Sequence, residues 1–353
     1  MIINPDKNNG TLNKNHIFKT ILRDMADGVM VINNIGEIVT INPSGKEILG
    51  LQSKSTEQIL YAQFMETDDK NEIFHQFILD AVYDKEKSHT GLIDYFIEGE
   101  KKKLKLTSSF IFSEDKTQHE GISIVFSDVT EVENQHQLRH DSSVIFASLM
   151  SILTIYIYIY SIKNSFLPQI RPGFLTLIIV VLALGCMIII LKKTSFSVAN
   201  FTLKLKNPLQ QMKLPILISV IGFLLLILIK YGLNSLNVSF FPKDKPFFDF
   251  ERLLKVGYII YPITALLQEI LTRCFMQNSL SNVFTGKYKD FLAIIVSSLI
   301  FGALHVAHGL NLMIGAFVFL SCLGVYYSKT KNIWGVTLIH YVLGMSVFLL
   351  NFT

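Results

Sequence analysis

Gln268, Glu269 and Arg273 stand inside the apolar run "LLQEILTRCFMQ" (Leu266–Gln277), and His305, His308 and His340 follow in two later apolar runs. Carboxylates, guanidinium groups and imidazoles are costly at hydrocarbon depth, so each reads as a functional position by default. The question is whether such groups are kept for catalysis, as a general base with hydrogen-bond donors, or only for packing. Gln268 is not a base, because an amide does not accept a proton near neutral pH. On an α-helix Gln268 and Glu269 lie about 100° apart and do not face the same water. Glu269 and Arg273 are four apart with the acid first, the favourable order for an intrahelical pair. Two accounts follow: the pair satisfies itself and is structural, or Glu269 turns to serve as the base with Gln268 as a donor.

A metal is the other chemistry to weigh. His305 and His308 share a helix face at i, i+3, and with His340 and Glu269 they form a set of zinc-ligand types. The HxxH spacing is weak without a third ligand, and His308 precedes Gly309 at a helix end, where an exposed histidine is ordinary. Zinc is therefore the lesser reading.

The elements that must carry these side chains are membrane helices. Half of the 353 residues are hydrophobic and only 17% are charged. The first 140 residues or so are mixed in character, and from Ser143 onward apolar runs alternate with short basic connectors. Spans are expected at roughly 144–162, 173–191, 214–233, 256–277, 291–308, 312–328 and 332–352, an all-α polytopic bundle of about seven helices. Lys192, Lys193, Lys204, Lys206 and Lys213 fall in one connector, Lys287 and Lys289 in another, and Lys329 and Lys331 in a third. All lie on one side if the front is cytoplasmic, so the chain is expected with its N-terminus inside and its C-terminus outside, in a bacterial cytoplasmic membrane. The connector at 234–255 carries both signs and a Phe-rich stretch, and it leaves seven or eight spans open. Cys186, Cys274 and Cys322 all lie in apolar runs and read as packing residues. The first apolar segment of membrane length begins near residue 144, so no signal peptide is expected. A net charge of +4, spread over connectors, argues against a nucleic-acid partner.

The front segment reads as α+β. "DGVMVINNIGEIVTINPSGKEILG" (Asp27–Gly50) gives a hairpin turning at Asn33–Gly36, then a short helix with Asn42 as cap, Pro43 in its first turn and Gly50 ending it. An amphipathic helix over Asp69–Asp84 follows, then strands at 91–99, 101–112 and 121–131. This order resembles a PAS domain over residues 15–135, an antiparallel sheet with helices, with "NPSGKEILG" and "FSDVTE" as its most specific marks. The resemblance implies sensing. His75 sits on the long helix where some relatives ligate haem, yet a lone histidine there is more often a surface or core-edge residue, so haem is not expected. The front segment has no cysteine, which excludes a thiol-adduct flavin photosensor. A small unknown ligand or protein contact remains. Residues 136–143 read as a connector helix leading into the membrane region at 144–353.

"QEILTR", "FGALH" and "NIWGVTLIHYVLG" arrive in the order and spacing of the CPBP intramembrane proteases, which include CAAX prenyl protease 2. The family pattern is Glu-Glu-x-x-x-Arg, Phe-x-x-x-His and His-x-x-x-Asn, and the resemblance covers roughly residues 210–353. It implies an endopeptidase acting on a membrane or lipidated peptide among membrane lipids. Carried over, the water-activating positions are Gln268 and His305, and the oxyanion positions are His340 and Gly344. Gln268 and Gly344 depart from the pattern. The expected function is therefore an endopeptidase-like membrane protein governed by a PAS sensor. The alternative is a pseudoprotease that keeps the fold and binds a partner protein or membrane segment.

Overall fold

The computed structural model describes residues 14–52, 58–66, 68–84, 88–166, 172–194, 207–236, 246–251, 256–305 and 309–352. His308 and most of the connector at 234–255 lie outside them. The chain forms two compact units, Met1–Gln135 and His136–Thr353.

The first unit opens with α1 (Lys14–Asp24), then β1 (Gly28–Asn33), β2 (Ile38–Ile41), α2 (Pro43–Ile48), α3 (Tyr61–Glu66), α4 (Glu72–Tyr83), β3 (Thr90–Ile97), β4 (Glu100–Phe112) and β5 (His119–Asp128). The strands make one antiparallel sheet in the order β2-β1-β5-β4-β3. Asn42 fixes the entry to α2. Its Oδ1 accepts from the Gly45 and Val29 amides at 2.8 Å each, and its Nδ2 donates to the Leu22 and Asp27 carbonyls at 2.9 Å each. One amide thus caps the helix and ties it to β1, with Pro43 at the position where a missing N–H costs nothing. Gly50 follows α2 at φ +69°, a conformation glycine reaches without strain. Met30, Ile32, Phe74, Ile78, Leu104, Leu106, Ile124 and Phe126 are fully buried between the sheet and α4.

His75 corrects the expectation of a surface or core-edge residue: it is buried inside this core. Its Nδ1 lies 2.7 Å from the Tyr61 hydroxyl, and its Nε2 lies 3.1 Å from the Asp68 carbonyl oxygen and 3.4 Å from the Asp68 carboxylate. The amphipathic pattern of α4 turns this position inward, and burial is tolerable because both ring nitrogens find partners. Neither is left for an axial bond to iron. Burial, opposed by Asp68, holds the imidazole below its ordinary pKa.

Helix α5 (Thr130–Phe166) starts in the last residues of the first unit, and the described residues of the second unit add α6 (Pro172–Leu191), α7 (Pro208–Ser235), α8 (Val256–Glu269), a π-helical stretch (Ile270–Gln277), α9 (Asn278–Val283), α10 (Lys289–Ala303), α11 (Leu310–Thr330) and α12 (Ile333–Leu349). Four stretches are long and apolar enough to cross a membrane: Thr130–Ile162, Phe174–Leu191, Pro208–Ser235 and Leu310–Thr330. Helix α12 is apolar but shorter. The expected span at 256–277 is helical throughout, as α8 and the π stretch, and its helix type changes after Glu269. Helix α10 has 15 described residues, about 22 Å, short of the roughly 30 Å hydrocarbon layer.

Ile145 and Leu149 of α5, Met187 of α6, Met276 of the π stretch, Tyr327 of α11 and Val336 of α12 share one buried core. Glycines bring the backbones together where the site needs them. A Cβ on Gly302 would stand 3.0 Å from the Phe317 Cα, so α10 and α11 touch backbone to backbone. Asn332 caps α12, its Oδ1 accepting from the Gly335 amide at 2.9 Å and its Nδ2 reaching the Gln211 carbonyl of α7 at 3.1 Å.

Candidate active site

Arg273 is fully buried, and its guanidinium is used in three directions. Nε donates to Glu269 Oε2 at 2.9 Å, Nη1 to Gln277 Oε1 at 3.0 Å, and Nη2 to the Leu320 carbonyl of α11 at 2.8 Å. Gln277 passes the link on, donating from Nε2 to the Gly324 carbonyl at 3.1 Å. Gly324 is what lets α11 come this near, since a Cβ there would stand 3.0 Å from Arg273 Nη1. The π-helical geometry begins at Ile270, where the Gln268 carbonyl is taken by the Thr272 hydroxyl at 2.7 Å. Such local π segments are frequent at functional sites.

Glu269 is shared between two partners. Oε2 is held by Arg273, and Oε1 lies 2.6 Å from His340 Nδ1 on α12, 71 residues away in the chain. The carboxylate accepts a hydrogen bond from Nδ1–H, which fixes the His340 tautomer and ring and leaves Nε2 as the basic nitrogen. Among the described residues Nε2 has no hydrogen-bond partner, and His340 lines a cavity of about 1210 Å³.

The same cavity is lined by Tyr261, Gln268, His305 and Gly344, and otherwise mostly by apolar side chains of α5, α6, α7, α10, α11 and α12. The Gln268 side chain is half-buried and has no hydrogen-bond partner among the described residues. His305 turns Nδ1 to the Phe301 carbonyl at 3.0 Å, one turn back on α10. Six of the seven candidate residues belong to this one region: Gln268, Glu269, His305, His340 and Gly344 line the cavity and Arg273 braces Glu269, while His308 lies outside the described residues.

Residues 251–345 match the family of type II CAAX prenyl endopeptidase Rce1-like proteins, and residues 17–129 match the PAS fold. The chain joins a PAS domain to an Rce1-like CAAX-protease domain. No curated protein matches it. Among solved structures it is similar to a PAS domain from Colwellia psychrerythraea, at 18% identity over 34% of this chain and 99% of the other, with a TM-score of 0.27. It is also similar to the PAS domain of Bordetella pertussis BvgS, at 13% identity over 35% of this chain and 96% of the other, with a TM-score of 0.29. With four membrane-length apolar helices and the family of its second domain, this is a protease-like membrane protein with a PAS domain.

Within the CAAX-protease-like domain the two accounts of Glu269 merge. It pairs with Arg273, as i, i+4 spacing requires, and it also reaches the site by grasping His340. Each of its oxygens has one of these partners, and the residue still lines the cavity. Of the zinc-ligand types expected, Glu269 holds Arg273 and His340, and His308 lies outside the described residues. Among the described residues no group of three metal-ligating side chains comes together.

Two residues that sequence reasoning passed over matter here. Gln277 completes the Arg273 clamp. Tyr261 is half-buried, lines the cavity, and packs edge-on to His340 with ring centroids 6.1 Å apart. The signal for Tyr261 was present: it lies seven residues before Gln268, within about 20° of the same helix face.

Proposed function

We propose that the CAAX-protease-like domain hydrolyses a peptide bond in a lipidated or membrane-embedded peptide. In this reading His340 is the general base. The observation that carries it is the 2.6 Å bond between Glu269 Oε1 and His340 Nδ1, beside a large apolar cavity. A carboxylate held rigid by a buried guanidinium orients the imidazole and offsets the charge it gains on taking a proton from water. That is the division of labour of acid–histidine pairs in hydrolases generally. The water then attacks the carbonyl carbon, the oxyanion forms, and His340 returns the proton to the leaving amine. Gln268, with a free amide at the cavity wall, is a hydrogen-bond donor to substrate or oxyanion. The mostly apolar lining suits a lipid chain or a membrane helix.

The PAS domain is read as the cytoplasmic sensor, consistent with the lysine-rich connectors on its side of a bacterial cytoplasmic membrane. Strand β5 ends at Asp128 and α5 begins at Thr130, so the chain passes from the sheet into the first apolar helix with one residue between. A ligand or protein partner of the PAS core is proposed to bias the peptidase through this helix.

The departures at Gln268 and Gly344 favour a second reading, a pseudoprotease that binds a membrane segment without cutting it. One experiment separates the two. Purified full-length protein in lipid nanodiscs is offered a prenylated CAAX peptide and a transmembrane-segment peptide. Cleavage by wild type that falls on the order of a hundred- to ten-thousand-fold in His340→Ala, with folding intact, is expected. Binding without cleavage in both proteins decides for the pseudoprotease.

A further inference from the structure

We infer that the Tyr261 hydroxyl is the oxyanion donor of this site, standing in the space that a side chain at position 344 would fill. The inference rests on the peptidase reading above and deepens it.

The geometry is specific. A Cβ placed on Gly344 would run into the Tyr261 hydroxyl, with the ring carbons Cζ and Cε1 only 2.9 and 3.0 Å away. The phenol oxygen of α8 therefore rests against the bare backbone of α12 at position 344. That position is one turn beyond His340, on the same face of α12. Tyr261 and Gln268 likewise share a face of α8, seven residues apart. His340, Tyr261 and Gln268, from two helix faces, all line the cavity.

The ring is held on several sides. It packs edge-on to His340 at 6.1 Å and to Phe348 at 6.2 Å, and tilted against Tyr341 at 6.2 Å. Its hydroxyl, by contrast, has no hydrogen-bond partner among the described residues. A half-buried phenol normally finds one. A donor held rigid, unpaired, and next to the base is what an oxyanion site needs before substrate arrives, because no bond must first be broken. The step balances without any further reactant. His340 Nε2 takes the proton of water, hydroxide bonds to the carbonyl carbon, and the carbonyl π electrons move to oxygen. The Tyr261 O–H donates to that oxyanion while keeping its proton.

This explains why position 344 is glycine. The asparagine of the family pattern and the Tyr261 hydroxyl compete for one volume, and this chain supplies the donor from the opposite helix.

The test is Tyr261→Phe in full-length protein in nanodiscs, which keeps the ring and removes one oxygen. The expected result is a fall in kcat on the order of a hundredfold, with KM and the pH profile unchanged. Affinity for a peptide phosphonate, whose anionic oxygen mimics the tetrahedral intermediate, should fall by a similar factor, while affinity for the parent amide holds. A purely structural tyrosine would shift both affinities together. If Tyr261→Phe retains activity within threefold while His340→Ala is inactive, the oxyanion assignment is overturned and the peptidase reading stands. If wild type cleaves neither peptide, the peptidase reading and this inference both fall.

Discussion

Arg273→Leu tests the frame on which the site depends. The side chain is fully buried and donates to three acceptors, at 2.9, 3.0 and 2.8 Å. Removing it strands the Glu269 carboxylate, which is 1% exposed, with His340 as its remaining partner. Breaking a buried ion pair from one side costs about 3–5 kcal/mol, because an uncompensated charge stays behind. The Gln277 Oε1 acceptor loses its donor as well, costing about 1 kcal/mol if water does not reach it, whereas the Leu320 carbonyl keeps its helical N–H donor. The double change Glu269→Gln with Arg273→Leu removes the stranded charge but not the unpaired Gln277 oxygen. It should therefore recover about 2–3 kcal/mol of the single-mutant loss. Reversible denaturation in mixed micelles, followed by the fluorescence of the single tryptophan, Trp334, measures all four corners of the cycle. The reasoning is refuted if Arg273→Leu shifts stability by less than about 0.5 kcal/mol, the range of an ordinary surface change. It is equally refuted if the double variant is no more stable than the single.

Gly344→Ala should destabilise by about 1–3 kcal/mol through overpacking against Tyr261, and the same change should be nearly silent in a Tyr261→Ala background. Equal costs in both backgrounds would remove the contact from consideration. The PAS core should weaken as pH falls through the imidazole range. His75 has a lowered pKa when folded, so the unfolded chain binds its proton first on acidification, and stability drops as pH passes below about 6.5 toward the folded value. Hydrogen exchange of β1 and β5 in the full chain, corrected for intrinsic rates, should show protection lost between pH 7.5 and 5.5 and a flatter profile in His75→Gln. Identical profiles would sink that account.

The residue types and their spacing were enough to determine several things. The hairpin, the Asn42 cap with Pro43 behind it and the three later strands are local patterns whose causes lie within a few residues, and they mark out the PAS domain. The Glu269–Arg273 pair was likewise legible, because i, i+4 neighbours on a helix meet whatever the rest of the chain does. The order of Gln268, His305 and His340 in apolar runs picked out three residues that the fold brings to one cavity. Only the tertiary structure decided what Glu269 does, because its second partner is 71 residues away and is reached by packing α12 against α8. His75 shows the same limit: amphipathic spacing places it on a helix, but only packing buries it between Tyr61 and Asp68. The meaning of Gly344 was also out of reach. In the sequence it is a missing side chain. In the fold it is a space, and the hydroxyl of Tyr261 occupies it, because contacts between helices are set by the shapes of two faces, while the sequence states each face alone.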